Sequence, residues 1–371
     1  MMQIGQKGYS DTQVLAILKG HSGSRRICFR YDLLDKEENK IGELDCIESG
    51  EVSFNAQNDI KRTAKFHMRD RGEVDWLNDR IQPFILVGLP DGDWLEFPQG
   101  IFMLSSPLRK DMGKNIYRNV DAYDTSLILK NDKLTSRCSV EAGVSYQYAV
   151  ERILRSANIK KISMEPCNKV LDRDIEWEIG TEKRKLVNQL LDAINYTSLW
   201  VDENGYFCSS RYIPPNEREV DIFYSDDEFS VIHNGVEEDV DVFNIPNVWV
   251  VVASNPEINS PLISLYENAN PNSPTSILNR DMRIVDYRTI TDIADQNTLD
   301  NYTKMLAFSG SQAYGHVRFT SAIMPIHGYV NILGLKYNIL GIDDRYTEMS
   351  WTIQMQPGGI MKHEARRIIQ V

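Results

Sequence analysis

The sequence predicts an α+β protein that is mainly β, with an antiparallel β region at each end and a compact α+β insert between them. Three observations carry this reading. Apolar and polar residues alternate at period two through Glu51–Arg69, as a half-buried strand requires. The 3.6-residue apolar period is concentrated in the middle of the chain, at Tyr146, Val150, Ile153, Leu154 and Ala157 and again at Val187, Leu190, Leu191 and Ile194. Strand-length apolar runs then return from Val248 onward. The divisions expected are an N-terminal segment 1–26, a first β domain 27–123, the insert 124–235, a second β domain 236–360 and a tail 361–371.

The N-terminal segment holds a short apolar patch, Val14–Leu18, with no basic stretch and long apolar run of the kind a signal peptide shows. In the first β domain, Val52, Phe54 and Ala56 alternate with Glu51, Ser53 and Asn55. After the loop Gln57-Asn58-Asp59, Ile60, Ala64, Phe66 and Met68 alternate with Lys61, Thr63, Lys65, His67 and Arg69. A second hairpin turns at Asp91-Gly92-Asp93, between Pro83–Leu89 and Trp94–Phe97. Strands are expected at Ile101–Leu104 and Ile116–Ala122.

In the insert, Ser145 is the expected cap of the first helix and Thr181 of the second. A hairpin turning at Asn204-Gly205 follows, ended by two prolines. The second β domain opens with Val248–Ala253, apolar on both faces and so covered on both. Pro261–Asn279, rich in Asn, Pro and Ser, reads as a long excursion. A helix follows over about Asp292 to Phe308, then strands at His316–Ile323, Tyr329–Leu335 and Trp351–Gln356, and the short basic-apolar tail EARRIIQV.

Composition narrows the function. Apolar residues make up 42% and charged residues 25%, which a folded chain requires, and the net charge is −12. Affinity for nucleic acid comes from neutralising phosphates with Lys and Arg, so this balance disfavours DNA binding; it also disfavours anionic membrane surfaces. No apolar run approaches the roughly 18 residues of a membrane helix. The five cysteines are widely spaced with no C-x-x-C pair, which fits free thiols in a reducing cytoplasm.

The search for chemistry nominates no catalytic, cofactor-binding or metal-binding residue. Gly-rich phosphate loops, G-x-S-x-G and H-E-x-x-H are absent. His316 and His327 could share a metal only if the fold added a carboxylate such as Asp343, and with no spacing rule behind such a site ordinary strand positions explain them better. The acidic clusters Asp226-Asp227-Glu228 and Glu237-Glu238-Asp239 with Asp241 lack calcium-loop spacing and read as solvated surface. Cys28, Cys46 and Cys208 read as strand packing. Trp94, Trp200 and Tyr206 lie in strand or hairpin contexts that favour core packing over a wall-binding surface. The basic row Lys61, Lys65, His67 and Arg69 suits either an acidic partner face or solvent.

Five stretches in order carry a resemblance: SGEVSFNAQNDIKRTAKFHM, SYQYAVERIL, EKRKLVNQLLDAINYTSLWVDENGYF, FNIPNVWVVV and TLDNYTKMLAFSGSQAYGHVRFTSAIMPIHGYVNILGL. Together, over about residues 27 to 357, they resemble the tail-hub proteins of bacteriophages and phage-derived particles of Gram-positive hosts. These are the baseplate hub of contractile tails and the N-terminal part of the tail-associated protein of flexible ones. The resemblance implies two β-barrel-like domains of the tail-tube kind, which a homotrimer alternates into a pseudo-hexameric ring. That ring would join the tail tube or distal tail protein above to the spike or tip protein below. The protein would reside in the virion after assembly in the bacterial host's cytoplasm, use no cofactor, and let the genome pass without specific binding. The lytic or receptor-binding region that often follows in such proteins is not expected after Val371. A wall-degrading or wall-binding tip protein is the alternative. The residues expected at subunit interfaces are Val52, Phe54, Lys61, Lys65, Phe66, Arg69, Phe319 and Ile323, from the strands Val52–Met68 and Phe319–Leu335.

Overall fold

The computed structural model describes residues 4–369 apart from 22, 24, 106–107, 241–242, 255–260, 291–292, 294 and 312–314. The alternation in Arg62–Arg69 does what period two demands: Arg62, Ala64, Phe66 and Met68 point inward, and Lys65 lies open to solvent. Its hairpin partner is Ile47–Asn55, with Val52 opposite Ala64. Around this pair the chain builds one 15-stranded sheet. Its main path runs Glu237–Val240, Gly315–Ala322, Ile360–Arg367, Ile342–Met355, Ile47–Asn55, Arg62–Arg69, Ile116–Asp124, Phe102–Leu104, Arg80–Gly88, Ile27–Leu34 and Lys40–Glu43.

The class is therefore mainly β, α+β, as expected, and the expected pair of barrels is not seen as two closed sheets among the described residues. The described residues show no closed barrel, and the two ends of the chain share a sheet. Ile47–Asn55 pairs along its free side with Ile342–Met355, placing Trp351 opposite Phe54 and Ile353 opposite Val52. The apolar rows of both ends then fill one core, with Phe66 and Val120 from the first and Phe319 and Met361 from the second. A hydrogen-bonding edge satisfied by the other end of the chain has no need to close on its own strands.

Other expectations are corrected in the same way. Val14–Leu18 belongs to a helix, Asp11–Leu18, closed by a capping box between Ser10 and Gln13; it buries Val14 and Leu18. The tail is largely an interior strand, Ile360–Arg367, in which Met361, His363 and Ala365 point inward. Much of Pro261–Asn279 is ordered secondary structure: Leu262–Glu267 pairs with Val248–Ala253. Beyond that strand, the buried Asn268 amide donates to Ser273 at 2.8 Å and to Thr275 at 3.2 Å. Helix Gln296–Ser311 lies near its expected place and packs Leu299 against Val251 and Ala253; the expected starting residue, Asp292, lies outside the described residues.

The insert has its own core, in which helices Tyr146–Ser156 and Lys183–Asp192 bring Val150, Leu154 and Leu190 against Phe207. Ser145 caps the first helix by accepting from the Tyr148 amide. The second begins after Glu182, not Thr181, whose hydroxyl instead donates to the Glu178 carbonyl at 2.8 Å. Glu38, in the turn between Ile27–Leu34 and Lys40–Glu43, receives Lys161 of the insert at 2.6 Å and Arg80 at 3.1 Å. Trp200 stacks on Tyr329 with ring centres 4.9 Å apart.

Arg62 fills an unusual place. Its guanidinium is buried beside Trp351 (5.3 Å to the ring centre) and Phe54 (5.9 Å), and it donates to the Gln99 carbonyl at 2.9 Å. Gly100 allows this, since its φ of 125° is open to glycine and a Cβ there would lie 2.6 Å from the Arg62 Cδ. Gly100→Ala is expected to cost about 2–3 kcal/mol, through backbone strain and a forced shift of Arg62, read as a lower midpoint in urea unfolding.

Candidate assembly surfaces and the buried histidine pair

The residues expected at subunit interfaces divide by parity. Val52, Phe54, Phe66, Phe319 and Ile323 are all buried in the core of the single chain. Lys61 is also buried, which corrects its place in an outward basic row: its ammonium donates to the Ala56 carbonyl at 2.7 Å, and burial pushes it down to about 8. Lys65, His67 and Arg69 do face outward, but among carboxylates and amides. Lys65 stands opposite Glu51 on one side and Asp121 on the other. His67 meets Asn119 at 2.7 Å and stacks on Tyr117, and Arg69 meets Glu48 at 3.4 Å. The outer face is therefore of mixed sign, because the neighbouring strands supply the acids.

Two kinds of surface remain unpartnered. Glu237–Val240 ends the main path of the sheet, and all four of its residues are exposed. Among the described residues Leu108–Asp111 pairs only with Ile116–Asp124, and its four residues are exposed as well. The second kind is apolar. Leu262–Glu267, Val248–Ala253 and Val285–Ile290 form a three-stranded sheet covered on one face by helix Gln296–Ser311. Its other face shows Ile263 and Leu265, each 58% exposed, and Tyr287 at 63%; Val250 lies between Leu265 and Tyr287 in register. A contiguous apolar patch of this kind marks a contact surface more often than an idle one.

The candidate chemical sites resolve differently. His316, His327 and Asp343 do not converge: Asp343 is exposed and His327 lies in the core. His327 instead joins two residues that the sequence did not single out, Glu348 and His363. The Glu348 carboxylate accepts from His327 Nδ1 at 2.5 Å and from His363 Nδ1 at 2.8 Å. An ionised carboxylate only accepts, so each Nδ1 carries the proton that it donates to Glu348. The Tyr224 hydroxyl meets His327 Nε2 at 2.8 Å, and the Ser321 hydroxyl meets His363 Nε2 at 2.8 Å.

Burial pushes His363 down to about 4, so its ring is neutral at pH 7. Burial works to raise Glu348, but the two imidazoles outweigh it and hold the carboxyl below its ordinary range. The three donor groups lie close enough together for a metal, yet each already has a hydrogen-bond partner, and the chain Tyr224–His327–Glu348–His363–Ser321 closes without an ion. It ties together four strands of the core and the loop that holds His327.

The acidic clusters are surface features. Asp226 accepts from the Asn338 amide and side chain at 2.7 Å each, Asp227 from Ser225 at 2.5 Å. Asp239 sits on the open edge strand, and Asp241 lies outside the described residues. A cavity of about 740 Å³ is lined by residues including Tyr196, Arg211 and Lys304, with Glu217 the one carboxylate among its described lining residues. Trp94 packs under Arg26, Trp200 on Tyr329, and Tyr206 is 42% exposed beside Lys161. All five cysteines are free, and burial pushes the Cys208 thiol up to about 12. No helix among the described residues is long and apolar enough to cross a membrane.

No family model and no curated protein matches the sequence. Solved structures do match the fold. A tail protein from Neisseria meningitidis MC58 superposes with a TM-score of 0.65 at 10% identity, covering 91% of this chain and 96% of that one. The 43 kDa tail protein of prophage MuSo2 from Shewanella oneidensis gives 0.62 at 9% identity, covering 91% and 98%. The E. coli c3393 protein gives 0.50 at 7% identity, covering 91% and 77%; it is described as a type VI secretion component similar to the T4 tail proteins gp27 and gp5. Across nine tenths of its length, this chain has the fold of phage and prophage tail proteins.

Proposed function

We propose that the chain is a structural subunit of a phage-type tail, placed at the baseplate or tip, where three copies form a ring between the tail tube or distal tail protein and the spike or tip protein. The carrying observation is the architecture: one open sheet that unites both ends of the chain and leaves edge strands exposed, in a fold shared with tail proteins. The apolar rows Val52, Phe54, Phe66 and Phe319 serve the fold of each subunit, so contact between copies falls to edges and exposed patches. The apolar face around Leu265 and Tyr287 suits a permanent partner, since obligate interfaces are the more hydrophobic class. The net charge of −12 suits a channel through which DNA slides without being held. Light scattering on the purified chain, alone and mixed with its tube and tip neighbours, tests this. A species of three times the chain mass is expected, and a chain that stays monomeric under every one of these conditions counts against the ring.

A further inference from the structure

From Glu237–Val240 to Leu108–Asp111 the main sheet can be followed through eight strands, each antiparallel to the next. The two outermost strands have opposite charge. One carries Glu237, Glu238 and Asp239, and the other Arg109 and Lys110 with Asp111 at its end, so that it stays net basic. We propose that the acidic edge Glu237–Val240 of one copy pairs with the basic edge Leu108–Asp111 of a second copy of this chain, continuing the sheet from subunit to subunit. This rests on the ring reading above and names the joint within it.

The geometry permits one favourable register. Because the number of strands is even, the two edges run in opposite directions, so a neighbouring copy meets the first in the antiparallel sense that the sheet already uses. Side chains must also keep their faces. Glu238 lies opposite the buried Val317, and so on the inner side, while Glu237 lies opposite the exposed Arg318. Arg109 lies opposite Arg118, which shares the inner side with the buried Val120, and Lys110 lies opposite Tyr117 on the outer side. The face-preserving antiparallel register that sets Glu238 against Arg109 also sets Glu237 against Lys110. A slip of two residues would place Glu238 against Asp111.

Both edges are free to do this. Glu238 accepts from the Tyr346 hydroxyl at 3.4 Å and Arg109 lies 3.4 Å from Asp70, contacts that leave both side chains open to a second partner. Opposite signs also exclude the wrong pairing, since two acidic edges or two basic edges repel. An interface between two different patches of the same chain closes a ring when the rotation from copy to copy divides a full turn, which is what the ring reading requires.

The test is charge reversal on the full chain, read by light scattering and native mass spectrometry. Glu237→Lys with Glu238→Lys, and separately Arg109→Glu with Lys110→Glu, are each expected to raise the concentration at which the chain assembles by more than about 100-fold. All four substitutions together should bring it back to within about tenfold of the original. Unchanged circular dichroism verifies the fold, and the milder Glu237→Gln with Glu238→Gln serves if a reversal fails to fold, with a weakening of about tenfold expected. Double reversals that assemble like the original chain overturn this joint and leave the ring standing. A fourfold variant that folds but stays monomeric overturns it too. An original chain that never assembles overturns both.

Discussion

Replacing Glu348 by alanine is expected to cost about 3–5 kcal/mol, enough to remove much of the margin of a typical domain. The carboxylate is the shared acceptor of two buried imidazoles, at 2.5 and 2.8 Å, so its loss orphans two donors at once. Glu348→Gln keeps the shape and one acceptor and should cost about 1–2 kcal/mol. Urea unfolding of the two variants separates lost hydrogen bonds from lost packing. The same group sets a pH dependence. An unfolded chain protonates His363 near its ordinary 6.5, and the folded chain only near 4, because the ring is buried. Stability from this residue is therefore full above about pH 6.5 and falls by up to about 3 kcal/mol as the pH drops towards 4. Glu348, held below its ordinary range, adds a further loss as the pH falls through its folded value. His363→Gln should flatten the profile between pH 6.5 and 4; an unchanged slope there would refute the assignment.

Trp351→Ala is the second large effect, at about 3–5 kcal/mol. The indole is 1% exposed, stacks on Phe54 at 5.7 Å, covers the Arg62 guanidinium and donates to the Gly328 carbonyl at 3.3 Å. It stands at the seam where Ile342–Met355 meets Ile47–Asn55, so the two ends of the chain should weaken together. Hydrogen exchange checks this: protection should fall equally in both strands. Separate transitions for residues near 50 and near 350 would mean that the seam is not cooperative.

What the sequence revealed follows from where side chains lie relative to the core. Ile47–Asn55 and Arg62–Arg69 were legible because one face is buried and the other polar, and helix Tyr146–Ser156 because its apolar residues share one face. The shared sheet was not, since alternation fixes the face of a strand and not its neighbour. Ile360–Arg367 was hidden because His363 occupies an inward position that an apolar residue would advertise. Glu348 was harder still. A bulge between Glu348 and Ser350 shifts the inward parity there, so Tyr346 and Glu348 point the same way as Trp351 and Ile353. The signal that finds the pair is the presence of two ionisable residues at inward positions of adjacent strands, which requires the pairing to be known. The acidic edge was read only as a cluster of surface residues and the basic edge, Arg109 and Lys110, not at all; only the topology shows that they end the same run of strands.

The seam also governs how the protein is made. Strand Ile47–Asn55 leaves the ribosome roughly 300 residues before its partner Ile342–Met355, and at about 5–20 residues per second that delay is roughly 15–60 seconds. Throughout it a nascent chain carries an unfinished β edge beside Val52 and Phe54, on a polysome crowded with identical copies. Faster elongation or a chaperone that covers this strand should raise the yield of soluble protein, whereas a stall between these two points should lower it.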